Sequence, residues 1–205
     1  MRRAAPIVLG LLGALAPAPA RAHLVDLRFG DFYGGAYHLV SGLDYALLLV
    51  ALSLLAALQP RETGRWVVAA VPLGVVTGSV AAAFVLDRDL SAALAVTGAL
   101  ALVALLVAVG RALPVAILVL LSFVAAAILG FENGLAMTVQ TDARLYIGGL
   151  VGVSLLVVTL TTAALIQAIT WGGWARIAVR ALGSWIAAVS LILMALATAG
   201  PVAGG

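Results

Sequence analysis

The chain of 205 residues has no cysteine, only two histidines and a charged fraction of 9%. Without cysteine it has no disulfide, no thiolate metal ligand and no thiol nucleophile. His38 is the only histidine inside a hydrophobic stretch, and no GxSxG-like setting accompanies it. An intramembrane hydrolase therefore finds no support, and no enzymatic activity is expected. Scarce charge beside 65% hydrophobic residues and a mean hydropathy of +1.24 excludes a soluble domain. Repeated apolar runs of about 20 residues mark an all-α, polytopic membrane protein whose partner is the lipid bilayer.

A sequence pI of about 10.0 suggests nucleic acid only until the charges are placed. Arg2 and Arg3 form the positive start of a secretory leader, Ile7 to Ala16 its short apolar core, and Ala20-Arg21-Ala22 a small-x-small cleavage site. That core is shorter than the roughly 17–25 residues a spanning helix needs. Cleavage after Ala22 is expected, giving a leader over 1–22, a transmembrane domain over 23–205 and His23 as the new N-terminus. Taking Arg2, Arg3 and Arg21 from the eleven basic residues leaves eight against eight acids. The mature chain is then formally neutral, without a basic patch, and nucleic acid is not a partner.

Six apolar segments follow, read as a six-transmembrane-helix bundle because a lipid-exposed backbone must satisfy its own hydrogen bonds. Their expected limits are Gly34–Leu58, Trp66–Leu86, Leu90–Gly110, Leu113–Phe131, Leu145–Thr170 and Ile177–Ala199. From an outside N-terminus, Arg61, Arg65, Arg111, Arg176 and Arg180 fall on the cytoplasmic side, and Arg28, Arg88 and Arg144 outside. This bias, with Trp66, Trp171 and Trp174 at cytoplasmic helix ends, predicts a bacterial inner-membrane protein with both mature termini periplasmic. Gly74-x-x-x-Gly78 and Gly148-x-x-x-Gly152 permit close helix approach, within the bundle or toward a second copy or membrane partner.

Chemistry concentrates in two places. The first is His38 and Asp44 on the first helix. An ionisable group in the hydrocarbon core costs roughly 2.5–3.5 kcal/mol on insertion scales, so such groups usually face a partner, an ion or a cavity. On a straight helix His38, Gly42 and Tyr45 lie nearly in line, with Asp44 beside them and Ser41 near His38. Imidazole nitrogen and carboxylate oxygen together suit a divalent metal ion. The plainer alternative has Asp44 hydrogen-bonding a neighbouring helix while His38 packs. The second place is Gly130 to Asp142, which topology sets on the same side. Glu132 and Asn133 there are candidates to complete the cluster, or else belong to a polar loop turning at Asn133-Gly134.

At these residues the chain resembles the HupE/UreJ membrane proteins, a family associated with nickel or cobalt uptake near hydrogenase and urease systems. His38-Leu-Val-Ser-Gly-Leu-Asp44-Tyr45 is similar to the family's His-x5-Asp-His motif. Glu132 to Thr138 is similar to its second, histidine-rich motif but keeps only Gly134 and Ala136. The helix Val179–Val189 resembles the family's last segment. Tyr45, Asn133 and Thr138 stand where the family has histidines, so of the motif ligands His38 and Asp44 remain. The resemblance implies a divalent metal transporter with an outer-face site of His38, Asp44, Glu132 and Asn133, and His23 pre-binding metal with its free amine. Nickel or cobalt is then the transported ligand, and no cofactor is bound permanently. The competing expectation is a non-transporting accessory or assembly subunit on the same scaffold.

Overall fold

The computed structural model describes residues 30–85 and 91–199. The expected leader and His23 lie outside them. Seven helices and no strand occur among the described residues: α1 Gly30–Ser41, α2 Leu43–Leu58, α3 Arg61–Ala83, α4 Ala93–Val109, α5 Val115–Leu135, α6 Ala143–Trp171 and α7 Gly173–Ala199. Four of them, α3, α5, α6 and α7, are long and apolar enough to cross a membrane, or five spans if the bent pair α1–α2 counts as one. The expected third span corresponds to α4, which is apolar throughout but 17 residues long.

The helix expected over Gly34–Leu58 is broken. Its two pieces meet at Gly42, whose backbone is extended (φ −77°, ψ 121°), and they diverge by 78°. A Cβ on Gly42 would overlap the Tyr45 ring, so glycine is what lets that ring fold over the break. Beyond it, α2 is apolar on every side. A helix with no polar face belongs inside a bundle. Leu48, Leu49 and every residue from Ala51 to Leu58 are buried, and α2 packs against α3, α4, α6 and α7. Its one buried hydroxyl, Ser53 Oγ, donates to Leu49 O at 2.8 Å and so leaves no unmet group in the core.

Small residues set the helix contacts. Cβ atoms on Gly74 and Gly78 of α3 would strike the backbone of α5 at Phe123 and Ala127, and one on Gly130 of α5 would strike Val75. Ser79 Oγ donates to Gly130 O at 3.0 Å across this contact. The first GxxxG face is therefore covered by the chain's own α5. In the second motif the tightest approach falls between the expected glycines: Gly149 lies against the Phe32 carbonyl, while Gly148 and Gly152 receive the Phe32 ring. At the other end α4 stops at Gly110, whose φ of 66° is left-handed and suits glycine.

Several helices run further than expected. α3 begins directly after Pro60, so the polar run to Arg65 is its first turn and Pro72 lies inside it. Neighbouring helices make such a proline tolerable in a membrane span. α5 continues through Glu132 and Asn133 to Leu135, because Gly134 packs closely onto Ser79 and Ala82 of α3. The break between α6 and α7 shrinks to Gly172.

Candidate functional site

His38 lies in the last turn of α1 and Asp44 in the first turn of α2, so the bend falls between two residues expected on one continuous helix. A carboxylate in a first turn is favoured by the positive end of the helix dipole. Ser41 Oγ donates to the His38 carbonyl at 3.2 Å rather than to the imidazole. The His38 ring instead lies between two phenols: its centroid is 6.1 Å from that of Tyr45 and 6.5 Å from that of Tyr146.

Tyr146 is the residue that sequence reasoning missed. It stands in the first turn of α6, next to Arg144 and Leu145, whose backbone amides are both capped by the Asp142 carboxylate at 3.0 and 3.3 Å. It is buried against α1, where its carbonyl lies over Gly35 with no room for a Cβ. Asp31 Oδ2 accepts the Asp142 amide at 2.7 Å and fastens the start of α1 to the start of α6. The signal available in the sequence was an aspartate N-cap followed by an aromatic residue on the His38 side of the membrane.

The Tyr146 hydroxyl donates to the Asn133 carbonyl at 3.3 Å and so joins α6 to α5. Asn133 is fully buried. Its Nδ2 donates to Leu129 O at 2.9 Å, while Oδ1 has no partner among the described residues. An unmet carbonyl oxygen in a protein core costs roughly 1–3 kcal/mol, and it is an acceptor available to a donor or a cation.

Glu132 has a different occupation from the one expected. Its carboxylate accepts Ser91 Oγ at 3.2 Å and the Ala92 amide, directly before α4. Helix starts leave amides without intrahelical partners, and a carboxylate there meets both their hydrogen bonds and the dipole. Glu132 is thus the cap of α4. Thr138 also closes local structure, its amide and hydroxyl both meeting Thr141 Oγ1 at 3.0 Å.

The bundle therefore brings His38, Tyr45 and Tyr146 into one cluster, with Asn133 attached through Tyr146. Of the expected ligands, His38, Asp44 and Glu132 do not come together as one group, and His23 lies outside the described residues. Among the described residues no group of three or more His, Cys, Asp or Glu side chains is placed to hold a metal ion together. An arrangement of single nitrogen and oxygen donors spread around an aromatic cluster can pass a cation between weak contacts, and is poorly suited to storing one.

No curated protein and no solved structure matches the chain significantly. The family model described as HupE / UreJ protein matches residues 11–193, which include the broken helix, the Glu132–Thr138 segment and most of α7. A match over nearly the whole chain, including the helices that carry His38 and Asp44, places this membrane protein in the HupE/UreJ family.

Proposed function

We propose that the protein passes a divalent metal ion, of the nickel type suggested by its family, from periplasm to cytoplasm across a bacterial inner membrane. The observation that carries this reading is the break at Gly42, which turns His38 toward Tyr45 and Tyr146 at one end of the bundle. Interrupted helices in a membrane are tolerated where they face protein or a water-filled cavity, and they recur at ion sites of transporters. His38 and Asp44 supply imidazole nitrogen and carboxylate oxygen, and Asn133 Oδ1 supplies a neutral acceptor deeper in the bundle. Because a metal ligand must be deprotonated, capture weakens as pH falls. In this reading α4, about 25 Å long at 1.5 Å per residue, completes six spans, and both mature termini are periplasmic.

The second reading is an accessory or assembly subunit that transports nothing. It is favoured by Glu132 serving as the cap of α4 and by the lack of a three-ligand group among the described residues. Metal accumulation separates the two. Cells expressing the protein should accumulate Ni or Co above empty vector, and Asp44→Asn or His38→Ala should reduce that excess about 10-fold or more. Uptake equal to empty vector for Ni, Co, Zn, Mn and Fe would sink the transport reading. Normal uptake by both variants would move the site elsewhere.

A further inference from the structure

At the end of the bundle opposite His38, the end of α2, the start of α3, the end of α6 and the start of α7 surround a cavity of about 350 Å³. Gln59, Arg61, Thr170 and Arg176 line its polar side, and Ile166 and Ile169 its apolar side. Among the described residues no carboxylate is part of this wall. The nearest acid in sequence, Glu62, pairs with Arg65 at 3.9 Å, and among the described residues no carboxylate lies within 4 Å of Arg61 or Arg176.

The polar groups other than arginine are already engaged. Gln59 donates to Arg111 O at 3.4 Å and accepts from Leu113 N at 2.8 Å. Thr170 Oγ1 donates to Gln167 O at 2.7 Å. Arg176 donates one N–H to Leu58 O at 3.5 Å, leaving most of its fork of donors, and the Arg61 guanidinium has no hydrogen bond among the described residues. Two guanidinium groups in a carboxylate-free cavity repel a metal cation and match the oxygens of a phosphate.

The tryptophans beside the cavity bear on the source of the phosphate. Trp66, Trp171 and Trp174 lie within a turn or two of Arg61 and Arg176 and are 48%, 81% and 73% exposed. Indoles take this position at the level of lipid headgroups. Basic pockets between helices at that level suit acidic headgroups, and the isoleucine side provides an apolar wall for the glycerol end of a lipid.

We infer that this cavity binds the phosphate of an anionic phospholipid headgroup between Arg61 and Arg176. The site requires only that the bundle sit in a bilayer, and it stands whether or not metal is transported.

The test uses the purified full chain in a neutral detergent, with thermal unfolding followed after adding phosphatidylglycerol, phosphatidylcholine or inorganic phosphate. Phosphatidylglycerol should raise Tm by about 5 °C when it is well above its dissociation constant. The other two additions should raise it by less than about 1 °C on the same scale. Each variant is compared with its own lipid-free Tm, so a general loss of stability does not enter. Arg61→Gln should lose about half of the shift or more, and the Arg61→Gln/Arg176→Gln pair should lose all of it. Arg144→Gln, at the other end, should keep the full shift. If the pair fails to fold, Arg61→Gln alone decides, because that side chain makes no hydrogen bond among the described residues to lose. A full phosphatidylglycerol shift in Arg61→Gln and in the pair overturns the site. An equal shift from inorganic phosphate overturns the lipid as its source.

Discussion

Both ends of this bundle use polar residues to close helix ends, but the histidine end also gathers side chains of different helices around one ring. At the arginine end, side chains close on backbone groups that helix ends leave unmet. Gln59 joins Arg111 O and Leu113 N across the α4–α5 turn, Arg176 reaches the end of α2, and Arg180 Nε donates to Ala108 O at 3.0 Å at the end of α4. Cations at helix C-termini gain from both the hydrogen bond and the dipole. At the histidine end, side chains of different helices face one another around His38, and a buried oxygen of Asn133 has no partner among the described residues. Much of the first end fixes helices in register. The second sets side chains of several helices around one imidazole.

The strongest way to break this comparison is to part the helices that build the histidine end. Gly149→Leu places a Cβ against the Phe32 carbonyl, where only backbone could give way. Overpacking of this kind costs about 3 kcal/mol, so monodisperse protein should be lost or Tm should fall by about 6 °C or more. A merely local role for α1 would instead leave Tm unchanged. At the arginine end, Gln59→Leu removes both partners of a buried turn. The expected cost is about 2 kcal/mol, read as a lower Tm with metal uptake unaffected.

Glu132→Gln sharpens the comparison from the other side. A glutamine oxygen can still accept the Ala92 amide, so a cap should lose only about 1 kcal/mol, and metal accumulation should persist. Loss of accumulation at wild-type stability would return Glu132 to the ligand set. The smallest effect is expected from Arg180→Met, which keeps the apolar stem over Gly110 and removes the bond to Ala108 O. About 0.5 kcal/mol is expected, and a larger fall would mean that α4 depends on this cap more than its packing on α7 suggests.

Much of the frame was legible in the sequence because hydrocarbon leaves a backbone few choices. Apolar runs had to become helices, and Gly74 and Gly78 had to meet something closely. The break at Gly42 was not legible. Nothing in the apolar pattern around it changes, and what ends α1 is the Tyr45 ring lying over a glycine with no side chain to resist it. The hydrogen bonds of Glu132 were not legible for a similar reason. Its role as a cap exists only because the start of α4 is brought beside the end of α5, two segments forty residues apart. Asn133 fitted a loop turn equally well until Gly134 was seen packed on Ser79 and Ala82.

By itself the sequence determined that this chain is helical, that it lives in a membrane, and that His38 and Asp44 are its most informative polar residues. Those properties follow from the solvent and from local composition. Tertiary structure decided which polar groups meet: His38 with Tyr146, Asp31 with the Asp142 amide 111 positions away, and Glu132 with the start of α4. Such meetings depend on how closely helix backbones approach. That approach is set by glycines whose partners lie on other helices, where no periodicity along a single segment can show them.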